Sequence, residues 1–299
     1  MASIGRRLPE NVPGEFYVDD SCIDCETCMI VAPEVFAESE RPQACVHRQP
    51  EGDDGRRRAL MALVACPTSS IGAGESAARR AETAEAARAF PEPIADDIHY
   101  CGYASESSFG ASSYLIRRPS GNVLIDSPRA AEPLLRSIEA LGGVRFLFLT
   151  HRDDVADHAK FRRRFGCERL LHEDDRDAAT RDIERPLRGA EPIPLADDLL
   201  IIPVPGHTRG SCALLHGETL FSGDHLWADA AGRLAAGRSV CWYSWEEQTR
   251  SMERLLAHSF RRVLPGHGRR FEAPTPREAR AALLGLIARM ARRVGPAPP

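Results

Sequence analysis

Lysine is almost absent: Lys160 is the only one among 39 basic residues, and the rest are arginine. No Lys-rich tail is therefore available to dock on nucleic acid or an anionic membrane, and such an Arg excess reflects genome composition. Long apolar runs are missing too. No stretch approaches the ~20 residues of a membrane-spanning helix, and the N-terminus, MASIGRRLPE, lacks the apolar core of a signal peptide. A cytoplasmic protein without membrane contact is expected. Neither a G-x-G-x-x-G nor a P-loop occurs, which removes the common nucleotide sites. What is present is ordinary for a globular protein: 43% apolar and 27% charged residues with a net charge of −4 exclude disorder, collagen and a coiled coil. A chain of 299 residues has room for two domains.

Nine cysteines, unevenly placed, are the first informative excess. In a reducing compartment clustered cysteines are metal ligands sooner than disulfides. Cys22, Cys25 and Cys28 form C-x2-C-x2-C, and Cys66 follows with Pro67 directly after it. Three thiolates in one loop can hold three corners of a cubane, with a remote Cys-Pro supplying the fourth. Ala32 stands where two-cluster ferredoxins carry a further cysteine, so one cluster is expected. The alternative, a four-thiolate zinc site, usually shows two C-x2-C pairs, and the second pair is missing. CIDCETCMIVAPEVFA with the later VACPTSSI resembles the single-cluster [4Fe-4S] ferredoxins over roughly residues 12–72. Cysteine at the second position then implies four irons. Cys45 reads as a spare thiol, and Cys101, Cys167, Cys212 and Cys241 as small buried hydrophobes.

Charge divides the chain as well. Up to residue 75, 7 basic residues face 13 acidic ones; beyond it the two signs nearly balance. GAGESAARRAETAEAARAF shows no apolar periodicity and reads as a linker with some helix in it. We expect a ferredoxin-like domain over 1–75, a linker over 76–94 and a second domain over 95–299. In the second domain SSYLIRR, PSGN and VLIDSP form a hairpin by their turn chemistry. VRFLFLT, RLLHE, DLLIIPVP, CALLHG, TLFSG and RRVLPG are strand-like, whereas AAEPLLRSIEALGG and SWEEQTRSMERLLAHS carry helical apolar spacing. PREARAALLGLIARMARRVG is an amphipathic helix with an Arg-rich face, which either caps the fold or meets a partner or membrane surface. The fold class is α+β.

Four segments place His or Asp directly after an apolar strand: LTHRDDVADH, VPGHTRGS, LFSGDHLW and VLPGHGRR. Strand ends hold side chains rigidly, so four such loops suggest ligands converging on one sheet edge. Their order and context resemble the metallo-β-lactamase superfamily over roughly residues 95–270. That resemblance implies an αβ/βα sandwich and a metal centre of one or two divalent ions, Zn or Fe. Residue by residue, it assigns His151, Asp157, His158, His207, Asp224 and His267 as ligands. The usual second histidine is replaced by Asp153 or Asp154, and the loop is two residues longer than the family's. One metal site would comprise His151, His207, Asp224 and Asp153, the other Asp157, His158, Asp224 and His267. A carboxylate in place of a histidine shifts preference from Zn toward Fe or Mn. A fold that has lost its metal is the alternative.

A metal here would activate water and polarise a carbonyl or phosphoryl oxygen, with Asp157 as the catalytic group orienting that water. His225, beside Asp224, is a candidate for supporting the metal ligands or touching substrate, or else a buried structural histidine. Trp227, Trp242, Trp245 and Tyr243 are candidates for a pocket wall or for core. Only 32 residues follow His267, too few for the helical domain of glyoxalase II-type thioesterases, which disfavours glutathione thioesters. The spacing between Asp224 and His267 leaves no room for the insertion of the superfamily's nucleases. The expected partners are a small-molecule substrate and, if the cluster exchanges electrons, a redox protein. Three functions compete: a metallo-hydrolase of a small ester, thioester or related bond with a structural or redox-regulatory cluster; an oxidoreductase in which the cluster feeds a nonhaem iron; and an electron carrier whose second domain only binds. Superfamily frequency favours hydrolysis.

Overall fold

A computed structural model describes residues 2–74 and 76–292. The chain folds into two compact units, the first comprising Met1–Leu147 and Asp154–Cys167, the second Phe148–Asp153 and Glu168–Pro299. These units are cut differently from the modules expected at 75 and 95, because the first takes in residues on both sides of that division.

In the first unit, β1 (Tyr17–Val18) pairs antiparallel with β4 (Ile71–Gly72), so the two ends of the cysteine-bearing segment meet. Between them lie the hairpin β2 (Phe36–Glu38) with β3 (Ala44–Val46), and the helices α1 (Thr27–Val31) and α2 (Gly52–Ala65). Asp53 and Asp54 stand at the N-terminal end of α2, where the macrodipole favours negative charge, and Leu60, Met61 and Ala65 bury its inner face. Cys66 ends α2, because Pro67 disfavours a helical conformation in the residue before it. The expected linker is the ordered helix α3 (Ala77–Arg88), capped by Ser76, whose hydroxyl accepts from the Arg79 N–H.

A four-stranded antiparallel meander follows: β5 (Glu92–Ala95), β6 (Ile98–Tyr100), β7 (Tyr114–Ile116) and β8 (Val123–Ile125). The hairpin read from SSYLIRR and VLIDSP is β7–β8. Helix α4 (Glu132–Ala140) buries Leu134, Leu135 and Ile138 at helical spacing, and α5 (His158–Phe165) stops at Gly166, whose φ of 67° is the left-handed value such a stop requires.

The chain enters the second unit within β9 (Phe146–Phe148). There β10 (Glu168–His172) pairs parallel with β11 (Arg185–Leu187). A six-stranded sheet has the order β12 (Ile193–Ala196), β13 (Leu199–Pro203), β14 (Cys212–His216), β15 (Thr219–Gly223), β18 (Arg262–Pro265), β19 (Phe271–Glu272). β15 and β18 run parallel, the rest antiparallel. The small hairpin β16 (Trp227–Ala228) with β17 (Leu234–Ala235) lies between them in sequence. α6 (Trp245–Leu255) begins with Ser244 accepting from the Glu247 N–H and buries Gln248, Ser251, Met252 and Leu255. α7 (Pro276–Arg292) buries Ala279, Leu283, Leu286 and Met290 in the core that holds Val263 and Met252. Its apolar face is thus occupied within the fold; the end of the expected helix, from residue 293, lies outside the described residues. Among the described residues no helix is long and apolar enough to cross a membrane.

Candidate metal centre and iron–sulfur seat

No disulfide joins any of the nine cysteines. Cys22, Cys25, Cys28 and Cys66 line one cavity, with Ile23, Pro67 and Ile71 as its apolar wall. The loop wraps them through two non-glycine residues in left-handed conformation, Asp24 (φ 58°) and Glu26 (φ 59°), a turn that the short spacing between cysteines forces. Among the described residues no three of these sulfurs come within 4.8 Å of one another. Cys66 Sγ accepts from the Ser70 N–H at 3.3 Å. Burial pushes the Cys25 thiol up to about 11 and Cys28 well above its usual value. Loading a cluster must therefore displace these protons.

In the second unit four strand-end loops bring their ligands together. His151 follows β9, His207 follows β13, Asp224 follows β15 and His267 follows β18. Because β15 and β18 are neighbouring parallel strands, with Gly223 opposite Pro265, Asp224 and His267 emerge from the same sheet edge. Gly223 is required there: its φ is 51°, and a Cβ would lie 2.5 Å from Thr150 Oγ1. One ligand atom each from His151, His207 and Asp224 lies within 4.8 Å of the others. Asp153 Oδ2 is 3.3 Å from His207 Nε2 and 3.7 Å from His151 Nε2, and His267 Nδ1 is 2.9 Å from both Asp224 oxygens.

The donor set fits a divalent metal. His151 Nε2 and His207 Nδ1 are buried without a hydrogen-bond partner. Burial pulls the His151 pKa down, favouring the neutral imidazole that ligates. Burial alone would raise Asp224, but the charge and hydrogen bond of His267, with His151 and His207, hold it well below the carboxylate range. The hydrogen bond with His207 lowers Asp153. His225 is buried, and burial aided by His207 takes its pKa to about 3, which keeps it neutral.

The sequence-predicted residues Asp157 and His158 belong to the first unit. Asp157 precedes α5 without a side-chain capping bond; its Oδ2 accepts from the Ala130 N–H at 2.8 Å and its Oδ1 pairs with Lys160 at 2.9 Å. His158 is buried in the first turn of α5. Neither joins a cluster of three potential ligands among the described residues.

Residues 18–73 match the family described as the 4Fe-4S single cluster domain of Ferredoxin I. In overall fold the chain is similar to the crystal structure of the DIM-1 metallo-β-lactamase exposed to ceftazidime, with a TM-score of 0.51 at 17% identity, covering 65% of this chain and 95% of that one. The chain has a metallo-β-lactamase fold behind a single-cluster ferredoxin domain. Curated relatives are the hydroxyacylglutathione hydrolases of Xanthomonas campestris, 30% identical over 122 residues, and Xanthomonas oryzae, 33% over 121; each match covers 39% of this chain and 47% of the relative. The chain thus spans about half the length of the curated relatives it matches.

The loops that carry His151 and His207 in this metallo-β-lactamase fold are tied by a residue that sequence reasoning missed. Asp175, 1% exposed, accepts from the Arg152 N–H, the Thr208 hydroxyl and the Gly210 N–H, so one carboxylate joins the loop of His151 to the loop of His207. No motif marks it, since its partners are mostly main chain. Of the aromatic candidates, Trp245 packs against the core, whereas Trp242 is 60% exposed with its ring 6.2 Å from that of His207.

Proposed function

We propose that the chain is a metal-dependent hydrolase of a small ester or thioester, its metal held by His151, His207 and Asp224 with Asp153 and His267 beside them. The observation that carries this reading is the convergence of the first three ligand atoms within 4.8 Å. A metal there would supply Lewis acidity at the scissile carbonyl and an activated water. The chain's own part is to hold that chemistry in place: Asp224 offers a carboxylate kept ionised by His267, and Asp175 fixes two loops to each other. Trp242, exposed beside His207, offers the apolar surface against which an acyl group can rest. Asp157 is revised from catalytic group to brace, because both of its oxygens are already committed.

The matched relatives favour thioesters, and a glutathione thioester belongs in the test panel beside simpler esters despite the expectation against it. The experiment is metal analysis of anaerobically purified protein, followed by hydrolysis assays with and without chelation. Zinc, or another divalent metal beyond the cluster's iron, together with hydrolysis lost in His207→Ala and Asp224→Ala, supports the reading. Hydrolysis indifferent to chelation overturns it. Asp153, a hard donor 3.3 Å from His207, favours a second reading in which the metal is iron and the cluster supplies it with electrons. Iron at this site that becomes reduced when the cluster is reduced would select that reading.

A further inference from the structure

The first unit contains a connection between the cluster seat and the loop that follows the metal ligands in the chain. Helix α2 ends on Cys66, and its last carbonyls have no partners within the helix. Two groups from beyond the ferredoxin segment take them. The Ala104 N–H donates to Ala65 O at 3.1 Å, and Arg129 Nη2 donates to Val64 O at 3.0 Å. Arg129 is itself held in place: its N–H donates to Tyr103 O at 2.8 Å, and its guanidinium lies over the Tyr103 ring at 5.8 Å. Tyr103 in turn donates its hydroxyl to Ala87 O of α3.

The residues on either side of Arg129 reach the other way. The Ser127 N–H donates to Asp154 O at 3.1 Å, and the Ala130 N–H donates to Asp157 Oδ2 at 2.8 Å. Residues 154–157 come directly after His151 and Asp153 in the chain. Four residues, 127–130, therefore hold the end of the helix that delivers Cys66 with one side chain and grip the continuation of the metal loop with two backbone amides.

We propose that Arg129 is a positioning residue, and that an intact cluster seat orders the metal-binding loop through the strap at residues 127–130. This inference rests on the metal-dependent reading above. Without an ordered Cys66, the end of α2 loses its fixed geometry, Arg129 loses Val64 O, and residues 154–157 lose the frame that their two bonds supply. The cluster then acts on the metal centre without an electron passing between them.

The test uses the full chain with its cluster, Co(II) alone as the metal probe, and three readouts: visible absorption for the cluster, cobalt d–d absorption with retained cobalt for the metal centre, and amide hydrogen exchange at residues 127–130 and 154–158. Arg129→Met keeps the stem over Tyr103 and removes the donor to Val64 O. It should keep the cluster, bind cobalt about tenfold more weakly, the scale on which a residue that supports ligands acts, and exchange faster at both segments. Arg129→Lys, which retains a donor and the charge, should recover most of the affinity. Stripping the cluster anaerobically from the wild type should give the same loss, and stripping it from Arg129→Met should add little more. Wild-type cobalt affinity and exchange in a cluster-bearing Arg129→Met overturn the strap alone. Failure of the wild type to bind cobalt overturns the metal-dependent reading and the strap together.

Discussion

The two sites solve the problem of gathering ligands in opposite ways. In the cluster seat three of four thiols come from a seven-residue stretch that curls through left-handed residues into the first turn of α1, and local backbone geometry does nearly all the work. In the proposed metal centre His151, His207 and Asp224 each arrive on a different loop, after a different strand, and their assembly depends on the sheet register that sets Gly223 opposite Pro265 and on the carboxylate of Asp175. A locally built site tolerates loss of distant packing but not of its own residues. A site built by topology has the reverse weakness as well, since residues that touch no metal can dismantle it.

That contrast can be broken experimentally. The largest effect is expected from Cys25→Ser, which should abolish the brown chromophore and the cluster iron; visible absorption and iron analysis identical to wild type would undo the seat. Next, Asp224→Ala should remove metal binding outright, more than the 10–100-fold that supporting partners cost, while leaving the chromophore intact. Equilibrium dialysis with zinc measures it, and coincident loss of cluster and metal would erase the distinction between the sites. Asp175→Asn turns an amide group toward main-chain N–H donors. It should weaken metal binding about tenfold and lower stability by about 1–3 kcal/mol, read from dialysis and chemical denaturation.

Gly110→Ala tests whether the cluster seat is as local as its motif suggests. With φ at 85°, Gly110 lies so close that a Cβ would be 2.3 Å from Cys25 Cβ, and its carbonyl accepts from the Thr27 hydroxyl at 3.2 Å. The variant should lose about 1–3 kcal/mol and bleach faster in air, with little change in metal retention; unaltered bleaching kinetics would restrict the seat to residues 18–73. The smallest effect is a control belonging to neither ligand set. Burial alone would raise Glu184, but its hydrogen bonds and ion pair with the buried Arg169 hold its pKa at about 2. A depressed carboxylate contributes stability above its unfolded value, near 4.5, and loses that contribution as pH falls through about 2. Glu184→Gln should therefore cost about 1 kcal/mol or less at pH 7, and the difference from wild type should shrink between pH 4.5 and pH 2 in melting experiments.

How much could be read beforehand follows the same line. Cys22, Cys25, Cys28 and Cys66 could be singled out because their spacing is itself a motif, and the structure lines one cavity with them. The strand-end residues His151, His207, Asp224 and His267 were legible because apolar runs announce strands and the residue after each run stands at an edge. Helix α3 read as a linker for a physical reason: its most buried positions are Ala86 and Arg79, and Arg79 lies over the Phe16 ring and pairs with Glu15 and Glu82, so no apolar stripe advertises its inner face. Asp157 reads as a ligand because it stands beside His158 in a ligand-like motif; in the structure its oxygens go to Ala130 and Lys160, contacts that the sequence does not announce. Nothing in the sequence marks Asp175 or Arg129, whose partners are mainly backbone groups that only the folded chain assembles.

The position of Gly110 also sets an order of events during synthesis. The ribosome finishes residue 73, and with it every cluster ligand, before it reaches the residue that closes over Cys25. At about 5–20 residues per second that interval lasts roughly 2–7 s, and Ala104 and Arg129, which take the last carbonyls of α2, also emerge after residue 73. The residues that close over the seat, 104–129, are thus all made after the four cysteines they cover.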